Sequence, residues 1–191
     1  MKDSAPLILF VSDSNGKRID LDRLKPGALV CRHMRYTTEQ ALNDIPDVVN
    51  PHRVTDLVLQ IGLNDTRHGL ATQKVREDLL EIQLLYRRVF PNARQHLTEL
   101  PPIGDGQIEV NGLVRRLAAY TSSNLISTKQ FRDRTTGQLR LNTVAVDGFH
   151  YSDIGIKILA KEIKKSLFSH SNRDGICLTV LNDIRSYSAG F

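Results

Sequence analysis

Short, continuously apolar runs alternate along this chain with stretches whose apolar residues recur at helical spacing, and few architectures accommodate that alternation. Pro6-Leu7-Ile8-Leu9-Phe10-Val11 has no polar position to turn toward water, so a strand formed there must be covered on both faces. Asp56-Leu57-Val58-Leu59-Gln60-Ile61-Gly62 reads as the third strand in chain order and stops at a glycine. Residues 28–33 form a shorter candidate strand, residues 93–99 a fourth, and residues 123–128 a weaker fifth. The fourth is closed by Pro101-Pro102, which cannot continue a ladder. Between these runs, Val75, Leu79, Ile82, Tyr86 and Val89 recur at steps of four, three, four and three and stop before Pro91, the stripe of an amphipathic helix. Val110, Val114 and Leu117 mark a helix near 107–120. Ile156, Leu159, Ile163 and Leu167 mark another, which starts after Ser152, a suitable N-cap. Alternating strands and helices predict a three-layer α/β/α sandwich around a flavodoxin-like parallel sheet of about five strands.

The chain has 191 residues, enough for one domain with a substantial core. Residues 1–168 are assigned to it; residues 169–191, with a candidate strand at Ile176–Leu181, read as a C-terminal tail of unknown role. Residues 129–146 show no period and read as a long polar loop. The N-terminal apolar run is too short for a signal-peptide core, and no run approaches a membrane span. The two cysteines, Cys31 and Cys177, make no disulfide framework, so an intracellular, reducing compartment is expected. Cys31 falls in a strand pattern and is expected to be a small core residue. A net charge of +5 admits a nucleic-acid partner. However, the pairs Arg87-Arg88, Arg115-Arg116 and Lys164-Lys165 fall on polar helix faces, and no run of five basic residues exists. His33, His52, His96 and His170 lack metal-like spacing, and no phosphate-binding glycine loop occurs, so no metal or cofactor is expected.

Three short motifs carry chemistry. Asp13-Ser14-Asn15 ends the first apolar run, Gly62-Leu63-Asn64-Asp65 ends the third, and Asp147-Gly148-Phe149-His150 precedes the last helix. In a flavodoxin-like order the first and third strands are neighbours, so Ser14 and Asn64 meet at the carboxyl edge of the sheet, where such folds place their sites. Taken singly, Ser14 is an ordinary turn or cap serine, Asn64 a turn residue and Asp147–His150 an incidental loop pair. Together they supply a hydroxyl nucleophile, an imidazole base with a carboxylate to orient it, and an amide donor for an oxyanion. Asp13 and Asp65 read as loop residues binding backbone amides, and Lys17, Arg18, Arg67 and His68 as nearby cations.

These residues resemble the SGNH (GDSL-like) hydrolase superfamily. Val11-Ser12-Asp13-Ser14-Asn15 is similar to its first block, with Ser12 where glycine is common. Ile61-Gly62-Leu63-Asn64-Asp65 resembles the third block and Asp147-Gly148-Phe149-His150 the fifth, continued by Tyr151-Ser152 and Gly155. Residues 91–102 look like the family's fourth strand and its exit. The resemblance implies a serine ester hydrolase, acylesterase- or deacetylase-like, acting on a small acyl ester. Ser14 would be nucleophile, His150 base and Asp147 its partner, with the Ser14 amide and Asn64 forming the oxyanion hole. The family's second block adds a glycine amide; the corresponding Met34-Arg35-Tyr36-Thr37-Thr38 has no glycine. That departure keeps open an alternative: a weakly active or inactive module of the same fold that binds nucleic acid or a protein through its basic faces. Small size and basic balance are also similar to the esterase-like domains of non-LTR retrotransposon proteins, which would imply nucleic-acid-rich or membrane-associated surroundings.

Overall fold

The apolar runs become the middle strands of a five-stranded sheet. The computed structural model describes residues 5–48 and 50–169; the tail strand expected at Ile176–Leu181 lies outside them. The strands are β1 (Leu7–Ser12), β2 (Leu29–Met34), β3 (Val54–Gln60), β4 (Arg94–Thr98) and β5 (Asn124–Ile126). All pair in parallel, in the order β2-β1-β3-β4-β5, the flavodoxin-like order expected. The helices are α1 (Thr38–Asn43), α2 (Leu63–Arg67), α3 (Thr72–Val89), α4 (Asp105–Tyr120) and α5 (Asp153–Phe168).

Side chains alternate across the sheet, and the two faces build separate cores. Leu9 and Val11 of β1 with Leu57 and Leu59 of β3 meet Ala41 of α1, Val75, Leu79, Ile82 and Tyr86 of α3, and Val110 and Val114 of α4. Ile8 and Phe10 with Val58 meet Ile156, Leu159, Ile163 and Leu167 of α5. Cover on both faces is why β1 carries no polar alternation. Helix α5 starts where expected: the Ser152 hydroxyl accepts the Gly155 N–H at 3.2 Å.

Three expectations need correction. Cys31 is exposed, because β2 lies at the edge of the sheet and, among the described residues, pairs only with β1. Residues 129–146 are more ordered than a polar loop, with 3-10 turns at Lys129–Phe131 and Leu141–Thr143 and a buried Phe131. The basic helix pairs are not wholly solvated: Arg115 pairs with the buried Glu99 and Arg87 donates to the Thr121 carbonyl at 2.8 Å.

At the amino edge of the sheet, Asp56 is wholly buried and accepts from Lys25 Nζ at 3.0 Å, Arg94 Nε at 2.8 Å and Thr55 Oγ1 at 3.1 Å. His96 Nε2 stands 3.1 Å from Asp56 and its Nδ1 2.7 Å from Ser166 Oγ. Arg94 also reaches the carbonyls of Leu167 and Ser169, satisfying groups that the end of α5 leaves open. This is a second Ser–His–Asp array, but it is buried and lies at the edge opposite Ser14. It fastens α5 to the sheet.

Candidate active site

Three loops leave the carboxyl ends of adjacent strands. The Asp13 N–H continues the β1–β3 pairing by donating to the Gln60 carbonyl at 3.0 Å, and the Arg35 N–H continues β1–β2 by donating to the Ser12 carbonyl at 2.9 Å. Just beyond these bonds the chain releases Ser14, residues 35–38 and, after Gly62, Asn64. Gly62 has φ 107°, a left-handed conformation that glycine adopts without steric cost; it turns the chain from β3 into α2. The fourth loop, which carries Asp147 and His150, arrives from the far side of the sequence.

Ser14 Oγ lies 3.0 Å from His150 Nε2, and His150 Nδ1 lies 2.5 Å from Asp147 Oδ2. Asp147 Oδ1 accepts the N–H groups of Phe149 and His150, both at 2.9 Å. The hydrogen bond from the His150 ring, then these two N–H bonds, hold the Asp147 carboxyl well below the usual carboxylate range. An ionised carboxylate only accepts, so the neutral imidazole carries its hydrogen on Nδ1 and turns the Nε2 lone pair to the Ser14 hydroxyl. Gly148, at φ 69°, makes the tight turn that lets Asp147 fold back. His150 is about one-third exposed at its side chain, so the array opens to solvent.

Sequence reading found these three residues but not what holds them together. The Asn15 side-chain oxygen accepts the Tyr151 N–H at 2.9 Å, and Arg18 donates to the Tyr151 carbonyl at 2.7 Å. Both backbone groups of the residue after His150 are thus gripped by the loop that carries Ser14. Tyr151 is itself buried and packs at a tilt against Phe131, with ring centroids 4.9 Å apart. Gly155 presses the same segment onto α5, where an added Cβ would meet the Thr143 carbonyl oxygen at 2.1 Å. Asn15 stands in the first motif, but only its long-range partner reveals its task.

Asn64 Nδ2 donates one hydrogen to the Tyr36 carbonyl at 2.8 Å; an amide has a second to offer. The Ser14 N–H has no acceptor among the described residues. In the segment lacking a glycine, most N–H groups are already engaged. Arg35 donates to Ser12, Tyr36 to Gln40 Oε1 at 2.8 Å and Thr38 to Asp65 Oδ1 at 3.1 Å. Thr38 Oγ1 also lies 2.8 Å from both Asp65 and Asp78. Burial, the largest influence, raises the Asp65 carboxyl above its ordinary range, against the hydrogen bonds from Thr38. This bridge ties the start of α1 to the Asn64 loop. Asp13 is buried beneath Ser14 and accepts from the Asn15 N–H at 2.9 Å and Gln60 Nε2 at 3.0 Å. Burial outweighs these bonds and pushes its carboxyl up to about 6.

No protein-family model and no curated protein matches the sequence. Solved structures do match in fold. A Streptococcus pneumonia structure, named provisionally as a platelet activating factor, superposes with TM-score 0.72 at 24% identity, over 86% of this chain and 85% of that one. A family 3 carbohydrate esterase from Clostridium thermocellum gives TM-score 0.68 at 16% identity, over 96% and 98%. A psychrotrophic esterase, EstA, from Pseudoalteromonas sp. gives 0.63 at 15%, over 84% and 96%, in a structure inhibited by monoethylphosphonate. The fold is that of the SGNH, or GDSL-like, hydrolases. No helix among the described residues is long and apolar enough to cross a membrane.

Proposed function

We propose that this protein is a serine ester hydrolase of the acylesterase or deacetylase kind. The observation that carries the reading is the solvent-open chain Ser14 Oγ–His150–Asp147, at 3.0 Å and 2.5 Å, beyond the carboxyl ends of the strands. In the proposed reaction Ser14 Oγ attacks the acyl carbonyl while its proton passes to His150 Nε2. The tetrahedral oxyanion is met by the Ser14 N–H and the free hydrogen of Asn64. Collapse releases the alcohol with the proton from His150 and leaves the acyl group on Ser14. His150 then takes a proton from water as it attacks the acyl carbon, and returns that proton to Ser14 Oγ as the acyl–Oγ bond breaks and the acid leaves.

Hydrolysis of 4-nitrophenyl acetate tests this: burst release of nitrophenol followed by steady turnover is the expected course, and a rate equal to the buffer alone would contradict it. Asn64→Ala should lower kcat by about 10²–10³-fold, because one of only two oxyanion donors is lost; an unchanged kcat would remove Asn64 from the oxyanion site. Asn15→Ala should lower kcat by roughly 10²-fold with the fold retained, since releasing Tyr151 lets His150 drift from Ser14; circular dichroism beside the kinetics separates this from unfolding.

One observation favours the alternative of a low-turnover binding module: the N–H groups of Arg35, Tyr36 and Thr38 are occupied, leaving fewer donors for an oxyanion. RNA binding that weakens steeply with salt, without ester turnover, would decide for that reading.

A further inference from the structure

An arginine beside the loop that carries His150 has no anionic partner among the described residues. Of the arginines in the loops around the site, Arg18 is paired with Asp153 and Arg35 with Asp44. Arg67 makes no ion pair among the described residues. Its guanidinium carbon lies 4.5 Å from the centre of the Phe149 ring, and that ring stands edge-on to His150 at 5.3 Å. Arg67 also lies three residues beyond Asn64 on α2, a spacing that places two side chains on one helical face. It therefore bridges the loop of the oxyanion donor and the loop of the base. A guanidinium resting on a ring uses its face there and keeps its in-plane N–H donors free, the geometry that binds an oxyacid two atoms at a time. Arg67 is exposed, so a charge that reaches the site can approach it.

We propose that Arg67 binds an anionic group of the substrate, so that the preferred ester carries a carboxylate or phosphate near its scissile carbonyl. The proposal deepens the esterase reading and rests on it for the placement of the scissile bond. A neutral acyl ester leaves the Arg67 donors to water, whereas a charged one forms charge-assisted hydrogen bonds beside the reacting carbonyl.

The test compares kcat/KM for mono-4-nitrophenyl glutarate with that for 4-nitrophenyl acetate. In Arg67→Met the glutarate-to-acetate ratio should fall about tenfold relative to the unmodified protein, and Arg67→Lys should restore part of it. A ratio that Arg67→Met leaves unchanged, including an equal loss for both esters, would overturn the proposal and leave Arg67 as a brace for Phe149. Binding separates this result from any failure of the esterase reading. Calorimetric titration of Ser14→Ala, with and without Arg67→Met, uses mono-methyl glutarate and acetyl phosphate as probes. A Kd about tenfold weaker without Arg67 supports the site whether or not Ser14 turns over, and the tighter probe identifies carboxylate or phosphate. Equal Kd values, or no binding of either probe, overturn it.

Discussion

Replacing Ser14 with alanine should reduce kcat by about 10⁶-fold while leaving the fold intact. Ser14 Oγ is the atom that His150 Nε2 faces at 3.0 Å, and no other hydroxyl is hydrogen-bonded to that nitrogen among the described residues. Ser14 is only half-buried, so losing its hydroxyl opens little space. The contrast is Ser166→Ala. Ser166 also hydrogen-bonds a histidine that pairs with an aspartate, but it is buried at the opposite edge and should leave kcat unchanged. A kcat that survives Ser14→Ala, or one that falls in Ser166→Ala without loss of fold, would contradict the assignment. On this account a Ser–His–Asp arrangement does chemistry only where a substrate can reach it.

The largest effect on stability is expected at Asp56. Asp56→Ala removes the one anion shared by Lys25, Arg94 and His96 and leaves their donors buried or half-buried without it. Breaking one side of such a buried pair costs about 3–5 kcal/mol, a fall in Tm on the order of 10 °C for a domain of this size. The pH dependence follows from the same contacts. Burial alone would raise the Asp56 carboxyl, but hydrogen bonds from His96 and Lys25 and the charges of Arg94 and Lys25 hold it well below the usual carboxylate range. A carboxyl depressed in the folded state contributes its full stability above its unfolded value of about 3.9, and loses it as pH falls below that toward the folded value. Acid unfolding of the unmodified protein should therefore steepen below about pH 4, and in Asp56→Ala that part of the slope should be missing. Equal acid slopes would contradict the account of this cluster.

Strand β1 was legible as the apolar run Pro6–Val11, which suits burial on both faces, whereas the equally central β4 buries Gln95, His96 and Thr98 and was marked mainly by its exit at Pro101-Pro102. The long helices were legible from their stripes and from the Ser152 cap. Helices α1 and α2, six and five residues long, are shorter than the window in which a helical period can show. Helix α1 does carry a local signal, since Thr37 accepts the Gln40 N–H at 3.2 Å and Gln40 returns a bond to the Tyr36 N–H, a capping arrangement that Thr37-Thr38-Glu39-Gln40 spells out. Ser14, Asn64, Asp147 and His150 were nameable because each stands at an element boundary. Their supports were not. Asn15 meets Tyr151, and His96 meets Asp56, across long stretches of chain, so spacing rules for histidine found His96 no partner. Cys31 was misplaced because an apolar-looking strand does not announce that it will be the edge.

Reaction with a fluorophosphonate, followed by intact-mass and peptide analysis, puts the claim about Ser14 to its most direct test. The account predicts one stoichiometric adduct on Ser14, abolished in His150→Ala. An unlabelled protein, or an adduct on another residue, would contradict it.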